Sequence, residues 1–312
     1  MKAIRILLLL ILLFISNPTT TQTMGNKPTA EVIKYSQQGT TKAVSSDASR
    51  IESLLAQLLP LRTKLSKEDI ILKAARHFVG IPYVAHTLDR NNEEMLVVNT
   101  REMDCTTYLE YVIAVVLCVD KNLSRYSDFT RMLQNIRYRQ GRLAYENRLH
   151  YYQWWVTDNQ QMGYVKEISA PNPPFTATQK LKINYMSENP NAYDMLRNRP
   201  QRVAALKKLE DQTNGTIVPY IPKKQLTNTE LLRKVVRNGD IIAITTNKLN
   251  LDTTHLGFAV WHRDGLHLIN ASSLKKNGRQ VVEPKETIYQ YLLQRPQNTG
   301  IRVSRLILDN LC

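Results

Sequence analysis

The stretch from Asp104 to Leu117 constrains the fold more than any other part of the chain. Asp104-Cys105-Thr106-Thr107 is polar, and Leu109, Val112, Ile113, Val116 and Leu117 follow at helical spacing. A polar start with apolar periodicity behind it predicts a buried helix entered from a loop. Asp104 is placed to cap its first free amides, so Cys105 falls at or near a helix N-terminus. The chain can build a core around such a helix: of its 312 residues 43% are hydrophobic and 22% charged, which excludes wholesale disorder.

Around that helix the chain reads as helices first and strands later. Asp47–Leu58 has helical periodicity, with Ser46 or Asp47 as cap and Pro60 as stop. Ser66 and Asp69 resemble a capping box opening a helix through Phe78. Residues 95–98 form a short extended candidate, and Tyr126–Tyr138 another helix. From about 160 to 230 the chain is polar and rich in Pro, Asn and Lys, and reads as an insertion with short helices over Pro190–Lys208. Then come the β-branched run Ile241–Thr246, the segments His255–Trp261 and Leu266–Ala271 flanking the turn pair Asp264-Gly265, and Arg302–Leu308. This order predicts an α+β fold.

At the amino terminus, Lys2 and Arg5 precede the apolar run Ile6–Ile15 and a polar exit. The run is short of the roughly 20 apolar residues of a membrane span, so residues 1–23 read as a cleaved export signal. Residues 24–45 read as a flexible leader, and 46–312 as one domain with no stable membrane span. Removing Lys2 and Arg5 lowers the formal charge from +15 to +13. A basic exported protein suits an anionic polymer such as cell-wall glycopeptide. Nucleic acid is not expected as partner, because the basic residues are scattered rather than massed. Three cysteines, Cys105, Cys118 and Cys312, are too few for a disulfide framework or a cysteine zinc site. No metal or cofactor is expected.

A cysteine at a helix N-terminus gains thiolate character from unpaired amides and the helix dipole. The same amides can donate to an oxyanion. Cys118, inside the apolar helix, reads as inert. Among six histidines, His255 opens a strand after a polar loop and is the best candidate base; His262 and His267 flank the hairpin turn, where exposure is expected. Asn270, in the next strand, can orient an imidazole without adding charge. A plain two-residue turn at Asp264-Gly265 pairs Ala259 with Asn270, leaving His255 roughly 13 Å along the strand at about 3.3 Å per residue. Closing that gap requires twist, a bulge near Gly257 or a longer loop.

Together, Gly80-Ile-Pro-Tyr83, Asp104-Cys105-Thr106, Gly239-Asp240-Ile241, His255-Leu-Gly257 and Asn270-Ala-Ser272 resemble the NlpC-type papain-like cell-wall cysteine hydrolases. More narrowly, Leu96–Asn99, Asp104–Glu110 and Arg148–Tyr151 resemble the N-acetylmuramoyl-L-alanine amidase-like branch, over roughly residues 65 to 308. The resemblance implies a papain-like arrangement, helices packed on an antiparallel β-sheet, with the polar insertion walling the cleft. It implies Cys105 as nucleophile, His255 as base and Asn270 as orienting residue, where the wider family more often has histidine. Tyr83, Asp104, Thr106, Arg148 and His150 are the expected substrate contacts, although Arg148 can equally pair with a structural acid such as Glu110.

The implied function is an exported amidase, periplasmic or secreted and monomeric, cleaving the N-acetylmuramoyl-L-alanine bond of muropeptides through a thioester. A stem-peptide endopeptidase of the same chemistry and a non-catalytic wall-binding module are the alternatives.

Overall fold

The computed structural model of the protein describes residues 41–311, with side chains from Ser46 onward. The predicted export signal, the leader as far as residue 40, and Cys312 lie outside the described residues. Nine helices and eight strands follow in the described chain. The helices are α1 (Thr41–Leu58), α2 (Lys67–His77), α3 (Cys105–Asp120), α4 (Tyr126–Arg137), α5 (Tyr152–Gln161), α6 (Tyr185–Glu188), α7 (Pro200–Thr213), α8 (Thr229–Arg233) and α9 (Ile288–Leu293). The strands are β1 (Val165–Ile168), β2 (Ala177–Lys180), β3 (Ile217–Pro222), β4 (Ile241–Thr246), β5 (Thr253–Trp261), β6 (Leu266–Ala271), β7 (Val281–Val282) and β8 (Asn298–Leu306). The strands form one antiparallel sheet in the order β2-β3-β8-β4-β5-β6-β7, with β1 also paired to β8. The class is α+β. No helix among the described residues is long and apolar enough to cross a membrane.

Helix α3 is buried from Thr107 to Asp120, and a helix apolar on all sides needs cover on all sides. It is packed between α1, α2 and α4 and the sheet strands β5 and β6. Strand β5 shows why the sheet carries two cores. Leu256, Phe258 and Val260 pack into the cluster built around α3. The alternate residue Ala259 joins a second cluster with Ile242, Leu268 and Val303, the period-2 consequence of the pleat. Buried charge in the helical layer is paired: Arg137 donates to Glu110 at 2.6 Å, with both side chains almost fully covered.

Several local expectations change in the folded chain. Helix α1 begins at Thr41 rather than at Asp47. The carboxylate of Asp47 instead accepts from the Thr100 amide at 3.0 Å, a long-range use that no local pattern announces. Residues 95–98 are not a strand. Side chains hold that loop: Arg137 donates to the Val97 carbonyl at 2.7 Å, and the Tyr111 hydroxyl accepts from the Asn99 amide at 2.8 Å. The segment 160–230 supplies more than short helices. Its β1 and β3 both pair with β8, and β2 extends the sheet beyond β3, while α6 and α7 sit between β2 and β3 in sequence.

The β5–β6 hairpin differs in the way that matters most. Its pairs are Trp261 with Leu266, Ala259 with Leu268 and Phe258 with Ile269, so His262–Gly265 is a longer loop, not a two-residue turn. This register moves Asn270 toward His255, leaving the two on a diagonal roughly 7 Å apart along the strand at about 3.3 Å per residue. Gly257 lets β6 lie close: a Cβ there meets the Ile269 carbonyl oxygen at 2.6 Å.

Candidate active site

Cys105 is the first residue of α3, and Asp104 is its N-cap. The Asp104 carboxylate accepts from the Thr106 and Thr107 amides at 3.1 and 2.8 Å, and the Thr107 hydroxyl returns a contact to the Asp104 amide at 2.9 Å. This capping box fixes where the helix starts and therefore where the sulfur points. It also takes up two of the helix's unpaired amides, leaving Cys105's own.

Cys105 is not sealed in the core. It shares the wall of a cleft of about 210 Å³ with Thr106, Arg148, His150, Asp252, Thr253, Thr254 and His255. Burial first, and then the neighbouring Asp104 carboxylate, push its thiol up to about 12. The Leu256 amide, the Thr106 hydroxyl and Cys105's own amide act the other way, favouring the charged sulfur. The expected depressed thiol is therefore corrected: desolvation and an adjacent negative charge outweigh the helix terminus. At neutral pH the sulfur rests as a thiol.

His255 stands near the start of β5, next to the Leu256 amide that faces the sulfur. Its Nε2 lies 2.9 Å from Asn270 Oδ1. The Asn270 side-chain amide donates to the Leu268 carbonyl at 2.8 Å, so its nitrogen is committed and its oxygen is the atom left for the imidazole. An amide oxygen can only accept, so His255 carries its proton on Nε2 and keeps Nδ1 as a lone pair. Burial lowers the His255 pKa, opposed by the Asn270 hydrogen bond. The ring is braced by Tyr291, whose centroid lies 6.2 Å away at an interplanar angle of 21°.

Residues 73–301 match the family described as AmiA-like, N-acetylmuramoyl-L-alanine amidase-like. The chain belongs to this family. Among solved structures it is similar to an N-acetylmuramoyl-L-alanine amidase from Bacteroides uniformis, with 38% identity, TM-score 0.71, and coverage of 77% of this chain and 99% of that one. A Bacteroides fragilis protein named as a candidate xylanase is 41% identical over 75% of this chain and 99% of its own, with TM-score 0.69. A Legionella pneumophila protein shares the fold at 21% identity and TM-score 0.67. A comparison with curated proteins gives no match.

The remaining residues of this amidase-like site fall into two groups. Thr106, Arg148 and His150 line the cleft; Tyr83 and Asp104 are not among the lining residues. Asp104 is occupied as the cap. Burial first, and then the nearby ionisable groups of Cys105 and Asp104, raise the Tyr83 pKa, so its hydroxyl stays protonated. Arg148 pairs with Asp89, and more distantly with Glu94 at 3.5 Å, not with Glu110, which belongs to Arg137. Its Nη1 is buried without a hydrogen-bond partner among the described residues. His150 contacts the Tyr145 carbonyl through Nε2 at 2.9 Å, and burial beside Arg148 pushes its pKa down to about 3, so the ring is neutral.

Sequence reading passed over four contributors. The Leu256 amide carries no side-chain signal, and Asp89 is an ordinary loop acid until Arg148 is seen beside it. Tyr185 and Tyr193 bring the segment 160–230 to the cleft wall. Trp154 and Trp155 are both buried, and Trp154 donates to the Thr213 hydroxyl at 2.7 Å.

Proposed function

We propose that the protein is an exported, papain-like cysteine amidase that cleaves the bond between N-acetylmuramic acid and L-alanine in muropeptides. The observation that carries this reading is the oriented imidazole: Asn270 holds His255 by Nε2, and His255 and Cys105 face one cleft. Membership of the amidase-like family supports the bond, the cell-wall substrate and an action outside the cytoplasm, periplasmic or secreted. Support for the papain-like arrangement lies in a cysteine-headed helix packed on an antiparallel sheet that presents the base.

In this reading the resting pair is a neutral thiol and a neutral imidazole. His255 Nδ1 takes the thiol proton as the sulfur attacks the amide carbonyl. The Cys105 amide stabilises the oxyanion. The imidazolium, steadied by Asn270, passes its proton to the leaving L-alanine nitrogen, and a thioester to the muramic lactyl group remains. Water, deprotonated by His255, then releases the acid and restores the thiol. Arg148, held at the cleft wall by Asp89 and Glu94, supplies positive charge for a carbonyl or carboxylate of the stem peptide.

The xylan-cleaving activity in the name of the Bacteroides fragilis relative calls for a different site. Glycosidases use two carboxyl groups about 5 to 9.5 Å apart, one of them free to give a proton. Here Asp89 is bound to Arg148, and Asp252 accepts from the Gln153 and Thr253 amides at 2.7 Å each. The deciding experiment is digestion of purified muropeptides by the wild type and by Cys105→Ala, read by mass. Free disaccharide plus intact peptide is expected from the wild type alone. Cleavage within the peptide would make the enzyme an endopeptidase, and cleavage by Cys105→Ala would move the nucleophile elsewhere.

A further inference from the structure

The far end of β5 carries a second cluster of chemically capable side chains. One nitrogen each of His262 and His267 and a carboxylate oxygen of Asp264 lie within 4.8 Å of one another. The rings of the two histidines stack at 4.2 Å. The cluster lies roughly 23 Å along the strand from His255, at about 3.3 Å per residue, so it is no part of the cleft.

The hydrogen bonds of His267 raise a question that a cation answers. Expected to be exposed, His267 is in fact 1% exposed. Its Nδ1 lies 3.1 Å from the Pro284 carbonyl, an atom that can only accept, so Nδ1 bears the proton. In the neutral ring Nε2 is then a lone pair, yet it faces Asp264 Oδ1, a second acceptor, at 2.9 Å. Two acceptors held that close need something positive between them.

His262 is arranged in the same sense. Its Nε2 meets Glu283 Oε1 at 2.7 Å, which leaves Nδ1 as the lone pair. Arg76 holds Glu283 at 2.8 and 3.1 Å, so that carboxylate is a support behind His262 rather than a further ligand. The consecutive residues Glu283 and Pro284 thus each fix the tautomer of one histidine. Metal-ligating imidazoles are commonly held this way, with the ring nitrogen away from the metal given to a carboxylate or a backbone carbonyl.

We propose that His262, Asp264 and His267 form a zinc-class divalent metal site that cross-links the β5–β6 loop to the start of β6. Two imidazoles and one carboxylate suit Zn²⁺, with water at the fourth position. The donor atoms lie within 4.8 Å of one another, and the exposed Asp264 side chain is free to adjust on binding.

The test uses the full chain carrying Cys105→Ala, which removes the reactive thiol as a competing ligand. After chelator treatment it is titrated with zinc chloride by calorimetry and thermal melting. One equivalent bound per chain is expected, with a Tm rise of roughly 5 °C at a hundredfold excess over Kd. Adding His262→Ala or Asp264→Asn, both exposed positions that leave the core intact, is expected to abolish the rise. In the Cys105-containing enzyme these two variants are expected to keep wild-type turnover. Absence of zinc binding overturns the proposal and leaves His267 as an imidazolium bridged to Asp264. A rise that survives both variants overturns it as well, because zinc then binds elsewhere.

Discussion

Cys105 and Cys118 lie on the same helix, and both thiols are pushed up to about 12. They differ in what surrounds them. Cys118 is fully enclosed within the helical core. Cys105 stands at the helix mouth, with the Leu256 amide, the Thr106 hydroxyl and an oriented imidazole on the same wall. A raised pKa therefore does not separate an inert thiol from a candidate nucleophile. A partner that can take the proton during attack does, because nucleophilic catalysis needs the thiolate only in the transition state.

The comparison can be broken outright by exchanging the two roles. Cys105→Ala is expected to lower muropeptide turnover by at least about 10³-fold. Cys118→Ala is expected to leave turnover intact and cost on the order of 1 kcal/mol of stability in denaturant melts. Equal losses of activity from the two would show that the distinction drawn here is wrong.

Asn270→Ala sharpens it, with an expected fall in kcat of about 10²-fold or more from a misoriented base. The pH profile adds a reading that a packing defect would not move. His255 must be neutral to act, and burial holds its pKa below the ordinary 6.5. The acid limb of kcat/KM is thus expected to have its midpoint below that value. The Asn270 hydrogen bond raises the His255 pKa, so its loss shifts the midpoint to still lower pH, whereas Asn270→His retains activity. A midpoint that stays in place in Asn270→Ala removes Asn270 as the positioning residue.

The smallest effect concerns Asp104. Asp104→Asn keeps a competent cap and removes the charge that helps raise the Cys105 thiol. Alkylation of Cys105 by iodoacetamide at pH 8 is expected to quicken several-fold, with Cys118 unchanged. Equal acceleration at both cysteines points to loosened packing instead.

Much of this was legible without coordinates. The buried helix, its Asp104 cap and the strands holding His255 and Asn270 follow from periodicity and turn residues. Arg148 was not legible to the same depth. Its sequence neighbourhood does not reveal Asp89, which reaches it from a separate loop, and ion pairing across such a separation leaves no local pattern. The helices of 160–230 were expected, but the pairing of β1 and β3 with β8 joins segments far apart in the chain.

By itself the sequence determined which stretches form the central helices and strands, which residues can cap them, and which side chains have the chemistry for attack and proton transfer. These depend on neighbours within a few residues. The tertiary structure alone decided that the hairpin loop spans His262–Gly265, that His255 and Asn270 meet, that His267 is buried, and that the thiol rests protonated. Register and desolvation depend on what the rest of the chain brings close, and a one-dimensional pattern carries no record of it.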